Sequence, residues 1–140
     1  MTKILGIDYG KVITGLSISD TYEVFSFGLK AVPTKELMSF LDYFVEKKKI
    51  KKIVIGLPKT LNNKISKIEK EIQGIISKLK EKHPKIIIDR IDERFTSKIA
   101  LSTMIELGLR KKKRRKKMLL NKISAVLILQ SYLLRKNKRK

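Results

Sequence analysis

The 140-residue chain has no cysteine and no tryptophan, only three prolines, and from Arg110 to its end not one acidic side chain. Without cysteine there can be neither a disulfide framework nor a thiolate zinc site, which suits a reducing compartment. Long apolar runs are missing as well. The longest, "AVLIL" at 125–129, falls far short of the ~20 residues that a membrane-spanning helix requires. The opening "MTKILGIDYG" lacks the charged-then-apolar layout of a secretory signal. We therefore expect a soluble cytoplasmic protein with no membrane partner. A chain of this length can bury one proper core, so a single domain over 1–140 is expected.

What the chain has in excess is positive charge. It carries 34 basic and 13 acidic residues, a formal net charge of +21. The excess is uneven, with a net of +7 over residues 1–109 and +14 over residues 110–140. Lysine-rich codon bias would not concentrate charge in that way. A one-sided cationic field suits a polyanion, nucleic acid ahead of an anionic membrane surface or an acidic protein.

Three strand-like segments come first, near 3–9, 14–19 and 24–32, joined by connections short enough for an antiparallel meander. The period then changes to helical at Leu37, Phe40, Leu41, Phe44 and Val45, with Thr34 as the expected N-cap. "KKIVIGLP" reads as a short buried strand. Ile65, Ile68, Ile72, Ile75, Ile76 and Leu79 mark one face of a helix. "PKIIIDRID" reads as a further strand, preceded by His83, the only histidine, which we expect to be solvated in a lysine-rich turn. A helix over 97–107 follows, closed by Gly108. The all-basic 110–117 is expected to be a mobile exposed loop. "MLLNKISAVLILQSYLL" is apolar nearly all round and should form a largely buried last helix, before a frayed basic tail at 135–140. The sum is an α/β fold, a mixed five-stranded sheet with helices on both faces.

In open α/β sheets, reactive groups gather beyond the carboxyl ends of the strands. Asp8 ends the first strand, "GLP" the fourth, and "DER" follows the fifth. If those three strands are neighbours, Asp8 and Asp92–Glu93 come within reach of each other. Carboxylates so placed repel unless protonated or bridged by cations. Oxygen ligands of this kind suit Mg²⁺ or Mn²⁺, which also suit phosphate substrates.

Four motifs, "GIDYG…TGLSISD", "IVIGLP", "DERFTS" and "NKISAVLILQSYL", occur in that order over residues 3–134. Together they resemble the RuvX/YqgF family. The resemblance implies an RNase H-like fold and a nuclease acting on pre-16S rRNA, or on Holliday junctions, with precursor ribosomal particles as partners and a monomeric or homodimeric state. It implies an acidic metal site of Asp8, Glu93 and residue 121. There the family pattern has aspartate and this chain has Asn121, which lowers the formal charge of the three ligands from −3 to −2. The substrate phosphates would fall to Lys11, Arg94, Lys111, Lys112, Lys113, Arg114 and Arg115. Two further departures are Val12–Ile13, where the family carries a basic pair, and Asn62–Asn63 in place of "DG".

Plainer roles remain open for the same residues. Asp8 could make an Asx turn, Glu93 and Arg94 a surface ion pair, and Asn121 a helix N-cap. A catalytically impaired nucleic-acid-binding relative is the alternative function. "GIDYG" also resembles the phosphate hairpin of actin-like ATPases, but those enzymes close two such domains over a nucleotide.

Overall fold

The computed structural model describes residues 3–58, 67–92 and 113–138, with backbone alone at 113–117 and 138. Its elements are β1 (Ile4–Asp8), β2 (Ile13–Ser19), β3 (Ser26–Pro33), α1 (Leu37–Glu46), β4 (Lys52–Leu57), α2 (Lys67–Lys82), β5 (Ile87–Asp92) and α3 (Lys113–Lys138). The helix expected over 97–107 lies outside the described residues.

The five strands form one sheet in the order β3-β2-β1-β4-β5. β1–β2 and β2–β3 run antiparallel, whereas β1–β4 and β4–β5 run parallel. The first, fourth and fifth strands are thus consecutive, as the placement of Asp8 and "DER" required. Successive side chains alternate between faces. Leu5, Ile7, Leu16, Ile53 and Ile55 face α1 and α2, in a core with Leu37, Leu41, Phe44, Ile72 and Leu79. Ile4, Val54 and Ile91 face the other way, against Ile128, Leu129 and Leu133 of α3. Full burial of each such side chain contributes ~1.5–3 kcal/mol, so both faces of the sheet are covered by strong contacts.

α3 sits unusually close to the sheet because small residues make room for it. A Cβ on Gly6 would overlap Ser17 Oγ and Leu129 Cβ, and one on Gly15 would overlap the Asn121 carbonyl. Ser17 Oγ donates to the Ala125 carbonyl at 2.7 Å. β3 is the edge strand among the described residues, and the β2–β3 ladder shifts register at Leu16/Ser17 in a bulge.

Five expectations stand against the structure as follows. First, the last helix spans Lys113–Lys138 among the described residues, so 113–117 of the expected loop and 135–138 of the expected tail are helical. Lysine and arginine are good helix formers, and extending an existing helix carries no nucleation penalty. Residues 110–112 and 139–140 lie outside the described residues. Second, Asn121 is therefore two turns inside the helix and does not cap it. Third, the last helix is largely buried as expected, with no exposed side chain from Met118 to Gln130 and with Ser124, Ala125, Ile128, Leu129 and Leu133 buried. Fourth, Thr34 opens a 3-10 turn, and its hydroxyl is not a cap. It donates to the Gly10 carbonyl at 2.6 Å instead. Fifth, His83 is not solvated: its side chain is 11% exposed and pairs with Asp42 at 2.8 Å, because the approach to β5 brings it against α1.

Candidate functional site

The carboxyl ends of β1, β4 and β5 lie side by side, with Ile7 level with Ile55, Gly56 with Ile91, and Leu57 with Asp92. Asp8, the last residue of β1, is half-buried there. It pairs with Gly15 across the β1–β2 ladder, and directly paired residues share a face. Gly15's face is the one occupied by the Asn121 backbone. Asp8 and Asn121 are consequently brought to the same corner, where α3 crosses the end of the sheet.

Asn121 is held in place by its own side chain. Its Nδ2 donates to the Ile13 carbonyl at 2.9 Å, so Oδ1 is the atom left to serve as a metal ligand. The turn that carries Asp8 into β2 is stitched from the other side. Gly10 N–H donates to Thr14 Oγ1 at 3.3 Å, the Thr14 and Thr34 hydroxyls meet at 2.8 Å, and the Thr34 N–H donates to the Val12 carbonyl at 2.8 Å. Next to Asp8, the Tyr9 hydroxyl donates to Glu71 Oε1 of α2 at 3.0 Å. Burial, then the bond to Glu71 and its charge, push the Tyr9 hydroxyl up to about 12.

A second polar cluster fixes the end of β4. Arg90 donates through Nη1 and Nη2 to the two carboxylate oxygens of Glu69, at 2.9 and 2.6 Å. Its Nε and Nη2 also reach the carbonyls of Ile55 and Gly56, at 3.1 and 3.0 Å. Gln73 Nε2 donates to Glu69 at 2.5 Å. The Arg90 bonds hold the Glu69 carboxyl below its usual range despite its burial. This fork ties α2 to β4 and β5 where "IVIGLP" leaves the sheet.

The other expected site residues distribute as follows. Lys11 is exposed in the turn between β1 and β2. Lys113, Arg114 and Arg115 lie on the first turn of α3, with backbone positions alone described. Glu93, Arg94, Lys111 and Lys112 lie outside the described residues, as do Asn62 and Asn63. Asp92 ends β5 level with Leu57. Its neighbour Ile91 packs toward α3, so alternation turns Asp92 to the α2 face, the face on which Arg90 meets Glu69. Asp8 has been brought to Asn121, but among the described residues no three of His, Cys, Asp and Glu gather around a common point. The donors in hand, a carboxylate and an amide oxygen, are hard oxygen ligands and fit Mg²⁺ or Mn²⁺. The sequence reading missed the Thr14–Thr34 clasp and the Glu69–Arg90 fork. A polar residue inside an apolar strand, such as Thr14 or Arg90, was the available signal.

Residues 2–135 match the family described as RuvX, Holliday junction resolvase. The chain belongs to the RuvX family. Its relatives include a Bacteroides fragilis protein 45% identical over 133 residues, covering 95% of this chain and 96% of that one. One from Flavobacterium psychrophilum is 42% identical over 136 residues, covering 97% and 99%. Both carry the name "Putative pre-16S rRNA nuclease". Among solved structures, Thermus thermophilus RuvC in complex with a Holliday junction substrate superposes with a TM-score of 0.60 at 13% identity, covering 98% of this chain and 97% of RuvC. That likeness establishes the RNase H-like fold for this RuvX-family chain. Among the described residues, no helix is long and apolar enough to cross a membrane.

Proposed function

We propose that this RuvX-family protein is a metal-dependent endonuclease of the cytoplasm. It hydrolyses phosphodiester bonds in structured nucleic acid, and its role is 5′-end maturation of pre-16S rRNA within precursor ribosomal particles. The observation that carries this reading is Asp8. It is a carboxylate at the end of a central strand, on the face of α3, at the corner where Asn121 is pinned by Ile13. Asp8 and Glu93 would hold Mg²⁺ or Mn²⁺, with Asn121 Oδ1 as an uncharged third ligand. The bound ion would supply an activated water and stabilisation of the leaving oxygen. The chain's own part is to fix Asp8 through the threonine clasp. Lys11, Arg94, Lys111, Lys112, Lys113, Arg114 and Arg115 would neutralise substrate phosphates.

Asn121 favours a second reading, a nucleic-acid-binding relative with a weakened site, because its amide brings no charge to the ion. Cleavage of a 5′-extended 16S precursor and of a four-way junction, with and without Mg²⁺ or Mn²⁺, separates the two. Metal-dependent cleavage lost in Asp8→Asn supports the nuclease. Binding without cleavage at any metal concentration supports the weakened relative, and the junction arm decides between RNA and branched DNA.

A further inference from the structure

The pole of the molecule opposite Asp8 carries a feature that the proposed nuclease site does not use. Eight large apolar side chains are exposed among the described residues, and five of them, Tyr22, Val24, Phe25, Phe27 and Leu134, lie at one corner. Tyr22 is 71% exposed, Phe25 60% and Phe27 54%. These rings add nothing to the core, and an unoccupied cluster of this kind marks a contact surface.

The backbone beneath them is held firmly. The Asp20 carboxylate accepts from the N–H groups of Tyr22, Val24 and Phe25, at 3.2, 2.8 and 2.7 Å. Those bonds, Phe25's foremost, keep the Asp20 carboxyl below its usual range. The end of α3 clamps the same turn from the side. Gln130 bonds to Ser26 N–H and to the Val24 carbonyl, both at 3.0 Å, and Asn137 Nδ2 donates to the Glu23 carbonyl at 3.2 Å. Glu23, at a φ of 59°, pairs with Lys136. A turn with so many bonds, one residue in a left-handed conformation and three rings facing water resembles a presentation device more than a connection.

We propose that this corner is a stacking platform for unpaired bases of the nucleic acid that the protein binds. This rests on the nucleic-acid reading above, though not on catalysis. Rigid exposed rings offer every base a π-face without sequence preference, and single-stranded stretches are where RNA leaves its bases free to stack. Charge selects this occupant. The helix that clamps the turn reaches Lys138, the sequence has no acidic residue from Arg110 onward, and Arg135 of that helix is exposed. The one acidic side chain of the turn besides Asp20, Glu23, is already neutralised by Lys136. A second copy of this chain would bring the same cations to the contact.

The platform also has a fixed distance from Asp8. Asn121 and the clamp residues Gln130 and Asn137 are on one helix, so at 1.5 Å per residue they are about 14 to 24 Å apart. At ~3.4 Å per stacked nucleotide, that corresponds to roughly four to seven nucleotides between the platform and the Asp8 corner. Substrates with a single-stranded extension of that length would touch both.

The test uses the whole chain in EDTA, so that cleavage plays no part. Because the protein contains no tryptophan, Phe25→Trp installs a lone fluorophore on the platform. Its emission should be quenched by an unstructured RNA 12-mer and little changed by a blunt duplex of equal length. Tyr22→Ala and Phe25→Ala should each lower 12-mer affinity about tenfold. The salt slope should stay constant, since no charge is removed, as should the melting temperature, since the rings are exposed. Equal losses on duplex and single strand, or no loss at all, would overturn the platform. So would ring variants that change sedimentation from dimer to monomer while leaving 12-mer binding intact, which would identify a second copy as the occupant. In a separate arm with Mg²⁺ in place of EDTA, cleavage that survives in ring variants with unaltered 12-mer binding would sink the platform alone. Ring-dependent binding in a protein that never cleaves would sink the nuclease alone.

Discussion

Asn121→Asp is the substitution that interrogates the candidate site most directly, and its effect on stability should be opposite without and with metal. In the folded protein the Asn121 amide donates to the Ile13 carbonyl at 2.9 Å. An ionised aspartate has no proton to donate there and sets a negative charge against a carbonyl oxygen. Losing a neutral hydrogen bond costs ~0.5–1.5 kcal/mol, and leaving a partly buried acceptor unpaired raises that to ~1–3 kcal/mol. Helix position offers no compensation, because residue 121 is inside α3 and not at its positive end. The metal-free variant should therefore be less stable than the parent by about 2 kcal/mol at neutral pH. When protonated, the introduced carboxyl can donate to Ile13 as the amide does, so its folded pKa is raised above the unfolded value. The deficit should accordingly shrink as the pH falls below that folded pKa and be full above it. Adding Mg²⁺ or Mn²⁺ reverses the sign, since a third carboxylate strengthens binding to the folded state and ligand binding stabilises by mass action. Urea unfolding at pH 5 and pH 7.5, each with EDTA and with saturating Mg²⁺, measures all four cases. Equal stability of variant and parent in EDTA at pH 7.5 would refute the role given to the Asn121–Ile13 bond. A deficit that Mg²⁺ leaves untouched would refute residue 121 as a ligand.

Other outcomes follow from the same geometry. Glu69→Gln breaks the fork with Arg90 and should destabilise the fold by about 3 kcal/mol in equilibrium unfolding. Because the Glu69 pKa is lowered in the folded state, its contribution is present at neutral pH and disappears as acid takes the protein through that folded value. The parent should lose stability over that acid range and the variant should lose less. Gly15→Ala drives a methyl group into the Asn121 carbonyl and should cost about 2 kcal/mol by overpacking, visible as a lower denaturation midpoint. Tyr9 is held up to about 12, so its stabilisation is complete below pH 10 and fades as the pH rises from there toward 12. Tyr9→Phe should flatten that alkaline decline. Neutralising the basic residues 110–117 should reduce the salt slope of nucleic-acid binding at similar cost to every sequence; an unchanged slope counts against their contact with phosphates.

The sheet was legible because its signals are local and repeated. The apolar runs "KILGID" and "KIVIGL" and the aliphatic residues of "ITGLSIS" reveal strands, and the spacing of Ile68, Ile72, Ile75 and Leu79 reveals a helix. The place of Asp8 at the end of β1 was legible as well, since a carboxylate that ends a buried strand conflicts with its neighbours. What failed were judgements that depended on partners far along the chain. Thr34 looks like a helix cap until Gly10 supplies a carbonyl from 24 residues away. His83 looks solvated until Asp42 faces it. Asn121 suits an N-cap by residue type, but nothing in a run of lysines tells where a helix begins, because lysine is at home in helices and in loops alike. Arg90 in a strand flagged a buried partner without saying which of 13 acidic residues it would find.

Among the described residues β3 is an edge strand, and that edge gives the protein's charge a second purpose. An edge strand offers unpaired N–H and C=O groups to any other strand that approaches, and proteins blunt such edges with bulges, prolines and lysines. Here the register shift at Leu16/Ser17, Lys30 and Pro33 serve on or beside β3, while a net charge of +21 keeps whole molecules apart. That repulsion reaches over ~10 Å at 0.1 M salt but only ~3 Å at 1 M. The salt that strips the protein from nucleic acid therefore also removes its main defence against edge-to-edge association. Bound to its polyanion, the protein is shielded by its substrate; purified in high salt, it must rely on the bulge and the proline alone.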